Sequence, residues 1–380
     1  MTHNALKMTL MRVIYSFFKS FIMIFVNIYL WQTGKSIQAV ALFNLFNYLA
    51  AAGAFHLGNL TALRSGRLNY LLSSLSFIGL FALTLLLGDQ TWRYAWLIGI
   101  LGGLGDGFFF FNLNVFQASE LDKEEMDRFM AWLGAVTKAT AIAAPLIAGF
   151  LTAWLGFRAM VLCLLLLLAV QLLLSAQLPA GTVGTLPRFN FRAMAGRPSL
   201  RNTLLTHTLR APYNEFTILT NSVFLFVFAG NEALTGALNS GFAVASILMF
   251  WVYRVLQRKW SRRDLMLFGA VTHTLAILFL LRPGLWTFIL YSLTATVGGA
   301  FFGQPLTGIQ IHSAKAHAAD EAEMLGYLQT RVVLLTLGRC LFFGALYLWY
   351  TGLEGPFYSL VLVMNLVIPL VSFRMIQDEI

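Results

Sequence analysis

The chain has 380 residues, 58% of them hydrophobic and 11% charged, with a formal net charge of +10. A soluble domain carries about 25% charged residues, so a chain this apolar needs lipid around it. Its basic residues sit in short loops between apolar runs and form no recognition stripe, which argues against a nucleic-acid partner and for a role in membrane topology.

About 20 apolar residues cross the hydrocarbon core. On that length, spans are predicted at 8–32, 36–60, 68–88, 92–118, 129–154, 157–178, 203–230, 233–256, 264–282, 285–311, 325–350 and 356–375. The first run has no small-residue cleavage site, so no cleavable signal peptide is expected. The connectors after odd-numbered spans are short, as in Thr33-Gly34-Lys35 and Gly88-Asp89-Gln90. The longest connector, 179–202, holds Pro179, Pro187, Pro198 and four arginines and reads as a surface linker. The predicted fold is therefore all-α: a polytopic membrane protein of twelve transmembrane helices. Its expected domains are a six-helix bundle over 1–178, the linker 179–202, and a second six-helix bundle over 203–380.

Basic residues set the orientation. One side receives 17 of them: Lys7, Arg12, Arg64, Arg67, Lys123, Arg128, Arg188, Arg192, Arg197, Arg201, Arg254, Arg258, Lys259, Arg262, Arg263, Lys315 and Arg374. The other side receives four: Lys35, Arg93, Arg158 and Arg282. The positive-inside rule then puts both termini and the linker in the cytoplasm. A bacterial cytoplasmic (inner) membrane is the expected location. Cys163 and Cys340 both lie in apolar segments, which leaves no disulfide framework or zinc spacing.

An internal repeat joins the halves. A step of 193 residues carries Gly105-Asp106-Gly107-Phe108-Phe109 to Gly298-Gly299-Ala300-Phe301-Phe302, Gln117 to Gln310, and Thr137-Lys138 to Thr330-Arg331. Parallel repeats of this kind are a transporter architecture. Helix number, linker position and repeat together resemble the major facilitator superfamily over nearly the whole chain. The loop Asn59-Leu60-Thr61-Ala62-Leu63-Arg64-Ser65-Gly66-Arg67 is similar to that family's loop between helices two and three in its Arg-x-Gly-Arg part. It departs from it at Asn59, where the family has Gly, and at Leu63, where it has Asp. Ala144-Pro145-Leu146-Ile147-Ala148-Gly149 looks like a reduced form of the Gly-Pro-x-x-Gly-Gly pattern of antiporters. The resemblance implies a central cavity lined by helices one, five, seven and eleven.

Ionisable groups inside a bilayer are costly and face a cavity or a partner. Lys19, Lys138, Arg210 and Arg331 are the cations expected to bind substrate, with Asn112, Gln117, Gln310, Tyr15 and Tyr213 as polar and aromatic companions. The alternative for the cations is snorkelling to the headgroups, which suits Arg331 best. Asp106, in a glycine-rich stretch read as flexible, and Glu215, after Pro212, are the candidate proton-coupling acids. Each could instead be held in a permanent ion pair, and Arg339 could serve only to balance an acid. The asparagines and glutamines could equally be interhelical hydrogen-bonding groups. The histidines show no metal-ligand spacing, and no cofactor or metal is expected.

The function these features predict is secondary active transport of a small organic anion or zwitterion by alternating access, proton-coupled or by exchange, in a monomer whose partners are the solute, protons and lipid. A lipid flippase and a multidrug efflux antiporter of the same fold are the alternatives. An integral-membrane transferase is less favoured, because no catalytic cluster stands at an interface.

Overall fold

The computed structural model describes residues 3–62, 65–119, 123–178 and 191–377, and among them every regular element is a helix. In chain order these are α1 (His3–Phe21), α2 (Asn27–Gly34), α3 (Ile37–Ala62), α4 (Gly66–Leu87), α5 (Ala95–Ser119), α6 (Lys123–Ala176), α7 (Phe191–Gly196) and α8 (Pro198–Leu219). They continue with α9 (Leu225–Ala229), α10 (Glu232–Leu256), α11 (Arg262–Ala276), α12 (Leu285–Gly298), α13 (Gln304–His317), α14 (Glu321–Trp349) and α15 (Pro356–Ile376). Three π-helical segments join neighbours without breaking the rod: Ile22–Val26, Thr220–Phe224 and Gly299–Gly303. Most of the expected linker, 179–190, lies outside the described residues.

Nine segments among the described residues are long and apolar enough to cross a membrane. Two of them, Gly66–Leu113 at 48 residues and Gly134–Ala176 at 43, are about twice the length one crossing needs. Each contains a break at a glycine with positive φ. Gly88 (φ 50°) ends α4, and Gly156 (φ 81°, ψ 163°) interrupts α6. Only glycine adopts these angles without a Cβ clash, so the chain can reverse there with almost no connector. The rod formed by α8, its π segment and α9 adds a less apolar helix. This arrangement is consistent with the twelve predicted helices, and the turn at Gly156 falls between the spans predicted at 129–154 and 157–178.

Contacts divide the chain into two units: 1–184 with 231–240, and 185–230 with 241–380. The start of α10 thus packs with the first unit. A Cβ on Gly236 would fall 2.3 Å from the Pro145 carbonyl oxygen, and one on Gly149 would fall 2.7 Å from the Glu232 carbonyl oxygen. The Gln32 amide donates to Glu232 Oε1 at 2.8 Å at the same end.

In the first unit, α3 and α5 run parallel along a stripe of small residues. A Cβ on Gly99, Gly103 or Gly107 would stand 2.3, 2.1 and 2.3 Å from the carbonyl oxygens of Phe43, Asn47 and Ala51 respectively. Spacing of four on both helices keeps the stripe on one face, and without side chains the two backbones meet. The glycines around Asp106, expected to be flexible, therefore form a rigid packing face within a continuous helix. In the second unit, α14 approaches α8 in the same way. Pro212 cannot donate to the carbonyl of Thr208, and Gly338 lets α14 close on that oxygen, where a Cβ would fall 2.4 Å away.

Candidate functional site

In the first unit the site is built on one face of α1. Arg12, Tyr15 and Lys19 stand at i, i+3 and i+7, which stacks them on adjacent turns. Opposite them stands Asp106 on α5, the helix that the glycine stripe fixes against α3. The Tyr15 hydroxyl donates to Asp106 Oδ1 at 2.6 Å. The Lys19 ammonium pairs with the other oxygen, Oδ2. Tyr15 is only 1% exposed. Its ring stacks on Phe109 at 4.1 Å between centroids and meets Phe77 edge-on at 6.0 Å, so the hydroxyl has little freedom to leave the carboxylate.

Arg12 completes the cluster. Its Cζ lies 5.1 Å from the ring centroids of both Tyr15 and Phe110, within cation–π range. Its Nε and Nη1 are buried and meet no hydrogen-bond acceptor among the described residues. Two cations thus face one acid. Asp106 is 7% exposed, whereas the Lys19 side chain keeps 21% of its surface open.

In the second unit the centre is Arg210 on α8, buried, with Cζ 4.7 Å from the Phe302 centroid. Among the described residues no carboxylate forms an ion pair with it. Tyr213, one turn on, is buried with its ring 4.5 Å from that of His273. His273 Nε2 lies 3.0 Å from the Ala295 carbonyl oxygen. Glu215 is fully buried, and Arg339 Nε donates to its Oε1 at 2.8 Å. Thr217 Oγ1 and the Tyr291 hydroxyl lie 2.9 Å apart.

The remaining predicted residues lie elsewhere. Lys138 is exposed on α6 and Arg331 half-buried on α14. Asn112 is buried and bound to the first turn of α4: it accepts from Asn69 Nδ2 at 3.0 Å and donates to the Gly66 carbonyl. The side chains of Gln117 and Gln310 are outside the described set.

Arg12, expected among the cytoplasmic loop charges, sits inside the segment Leu6–Gly34. Two signals mark it. One is the i, i+3, i+7 spacing with Tyr15 and Lys19. The other is a second internal step, of 198 residues, that carries Arg12 to Arg210, Tyr15 to Tyr213, and the π segment Ile22–Val26 to Thr220–Phe224. Each unit thus carries Arg-x-x-Tyr one turn or more before a π segment. The earlier step of 193 residues carries Phe109, stacked on Tyr15, to Phe302, under Arg210.

The family described as Major Facilitator Superfamily matches residues 8–330. The protein named Uncharacterized protein YqgE of Bacillus subtilis (strain 168) is 24% identical over 329 residues, spanning 83% of this chain and 75% of its own. Among solved structures, a D-xylose-proton symporter aligns at TM-score 0.76 with 12% identity, over 98% of this chain and 97% of its own. A structure titled as a bacterial metal transporter aligns at TM-score 0.67 with 16% identity, over 100% of this chain and 98% of its own. At such identities the likeness is one of fold.

Proposed function

The chain belongs to the Major Facilitator Superfamily, and on that premise we propose that it is a secondary transporter that moves a small organic anion across a bacterial cytoplasmic membrane by proton-coupled alternating access. The observation that carries this reading is the imbalance of charge within the spans. Arg12, Lys19, Arg210, Arg331 and Arg339 stand against Asp106 and Glu215. One cation at a helix centre costs about 2.5–3.5 kcal/mol on insertion scales. Among the described residues Arg339 is matched by Glu215 and Lys19 by Asp106, which leaves Arg12 in the first unit and Arg210 and Arg331 in the second without an ion pair. Guanidinium forks suit carboxylate and phosphate. The same excess argues against a metal cation as cargo, although one structure of like fold is titled a metal transporter. We assign both termini to the cytoplasm on the basic asymmetry, which is 16 to 4 once Arg12 is counted inside its span.

Equilibrium binding to purified protein tests the reading. Carboxylated, phosphorylated and cationic solutes are titrated into wild type, Lys138→Ala, Arg210→Gln and Arg331→Ala. Anions should bind wild type and lose affinity in at least the Arg210 variant. A solute that proves cationic, or an anion whose affinity is the same in all four proteins, would remove the proposal.

A further inference from the structure

We infer that Asp106 carries the coupled proton by acting as an internal stand-in for the substrate: its carboxylate occupies Lys19 until a proton neutralises it, and Lys19 and Arg12 then take the carboxylate or phosphate group of the transported anion. This rests on the anion reading above and assigns that reading its binding and coupling atoms in the first unit.

An ammonium and a guanidinium have donors only. Asp106 offers two oxygens, one taken by Tyr15 and the other by Lys19. Neither oxygen makes a hydrogen bond with Arg12, whose Nε and Nη1 are buried without an acceptor among the described residues. A buried donor left unmade is costly, and the missing acceptor has the chemistry of an oxyanion. Phe110 and Tyr15 hold the guanidinium from the side, which fixes its fork while leaving its hydrogens unspent.

The proton has one productive place. Oδ1 keeps the short bond from the buried Tyr15 hydroxyl, so an added proton goes to Oδ2, the oxygen facing Lys19. There it replaces the hydrogen that Lys19 donated, and the ammonium is released toward the part of its surface that is open. No bond other than O–H forms, and the proton comes from the aqueous side. The cluster's charge rises by one on protonation and returns to its starting value when a monovalent anion binds. Proton and anion therefore cross as a neutral pair, which avoids adding net charge to a low-dielectric interior.

Other groups that bear on Asp106 are few. Helix α3 contributes Tyr48, which acts on Tyr15 electrostatically, and carries His56. Helix α4 contributes Tyr70, 6.1 Å from the Phe109 ring. The 3-10 turn Gly88–Tyr94 before α5 carries Asp89 and Arg93 at the far end of the helix. The second unit repeats the Arg-x-x-Tyr element without this switch. Thr217 stands at the place equivalent to Lys19, Gly299 at the place equivalent to Asp106, and Glu215 is sealed against Arg339. Among the described residues the second unit thus offers no counterpart of the Asp106 switch.

The test titrates lactate, which stays singly charged throughout, into purified wild type, Asp106→Asn, Arg12→Gln, Arg12→Lys and His56→Gln between about pH 5.5 and about pH 7.5, and adds citrate and inorganic phosphate at the acid end only. Linkage to one proton makes wild-type affinity fall as pH rises, by up to about tenfold per pH unit. Asp106→Asn should bind at the acid-side affinity throughout, with no slope, and His56→Gln should keep the slope. Arg12→Gln should lose at least about tenfold at every pH, with Arg12→Lys recovering part of it. A wild-type slope in Asp106→Asn, or wild-type affinity in Arg12→Gln, overturns the inference and leaves the anion reading standing. Failure of all three anions to bind wild type at the acid end would overturn the anion reading and this inference together.

Discussion

Replacing Gly103 by Ala adds one carbon at the closest point between α3 and α5. That carbon would lie 2.1 Å from the Asn47 carbonyl oxygen, 2.8 Å from Ala50 Cβ and 2.8 Å from the Ala51 backbone nitrogen. Ordinary contact begins at 3.4 Å, so the helices must part by about 1.3 Å. Neither neighbour can yield by a rotamer change, because two of the three atoms are backbone. Overpacking of this kind costs about 1–3 kcal/mol. Helix propensity works the other way and gives Ala up to about 1 kcal/mol over Gly, so the net change remains destabilising. The same displacement bears on the site, since it carries Asp106 with α5. Added in full to the 2.6 Å bond from Tyr15, a shift of about 1.3 Å takes the pair to about 3.9 Å, beyond hydrogen-bond reach. Gly53, exposed on α3 with nothing within 4 Å of its would-be Cβ, is the control. Gly53→Ala should hold or raise the apparent Tm in detergent, whereas Gly103→Ala should lower it and weaken anion binding. Equal Tm shifts in the two variants would refute the view that the glycine stripe is a packing face.

Three further outcomes are expected. Arg339→Met leaves a fully buried Glu215 without its cation and should destabilise by about 3–5 kcal/mol, while the double variant Arg339→Met with Glu215→Leu should recover most of that loss; thermal unfolding of the two checks it, and a double variant no better than the single would contradict the pairing. Gly236→Leu should block the approach of α10 to Pro145, where even a Cβ falls 2.3 Å from the carbonyl oxygen, and should lower transport in proteoliposomes together with Tm; normal values of both would count against the contact. Single cysteines at Gln90 and Ser199 should label from outside and inside respectively in intact cells, and outside labelling at Ser199 would reverse the proposed orientation.

What the sequence determined by itself lies in its local and periodic features. Apolar runs of membrane length, short connectors such as Gly88-Asp89-Gln90, and the match of residues across a fixed step follow from short-range chemistry, and they point to the all-α membrane fold and its family. Lys19, Asp106, Arg210 and Glu215 were visible as charges with no business in lipid. Their partners were not, because a pairing such as Glu215 with Arg339 joins residues 124 positions apart, a separation no helical period reports. The burial of Arg12 was decided by tertiary packing for the same reason. A basic residue two turns into a first helix looks like a headgroup anchor until Phe110, from α5, is seen beside it. The glycines around Asp106 read locally as freedom, and only the backbone of α3 pressed against them turns that freedom into rigidity. Composition prices a buried charge, but only the packed structure decides whether it is matched, and that decision separates Glu215, which is paired with Arg339, from Arg12, which has donors to spare.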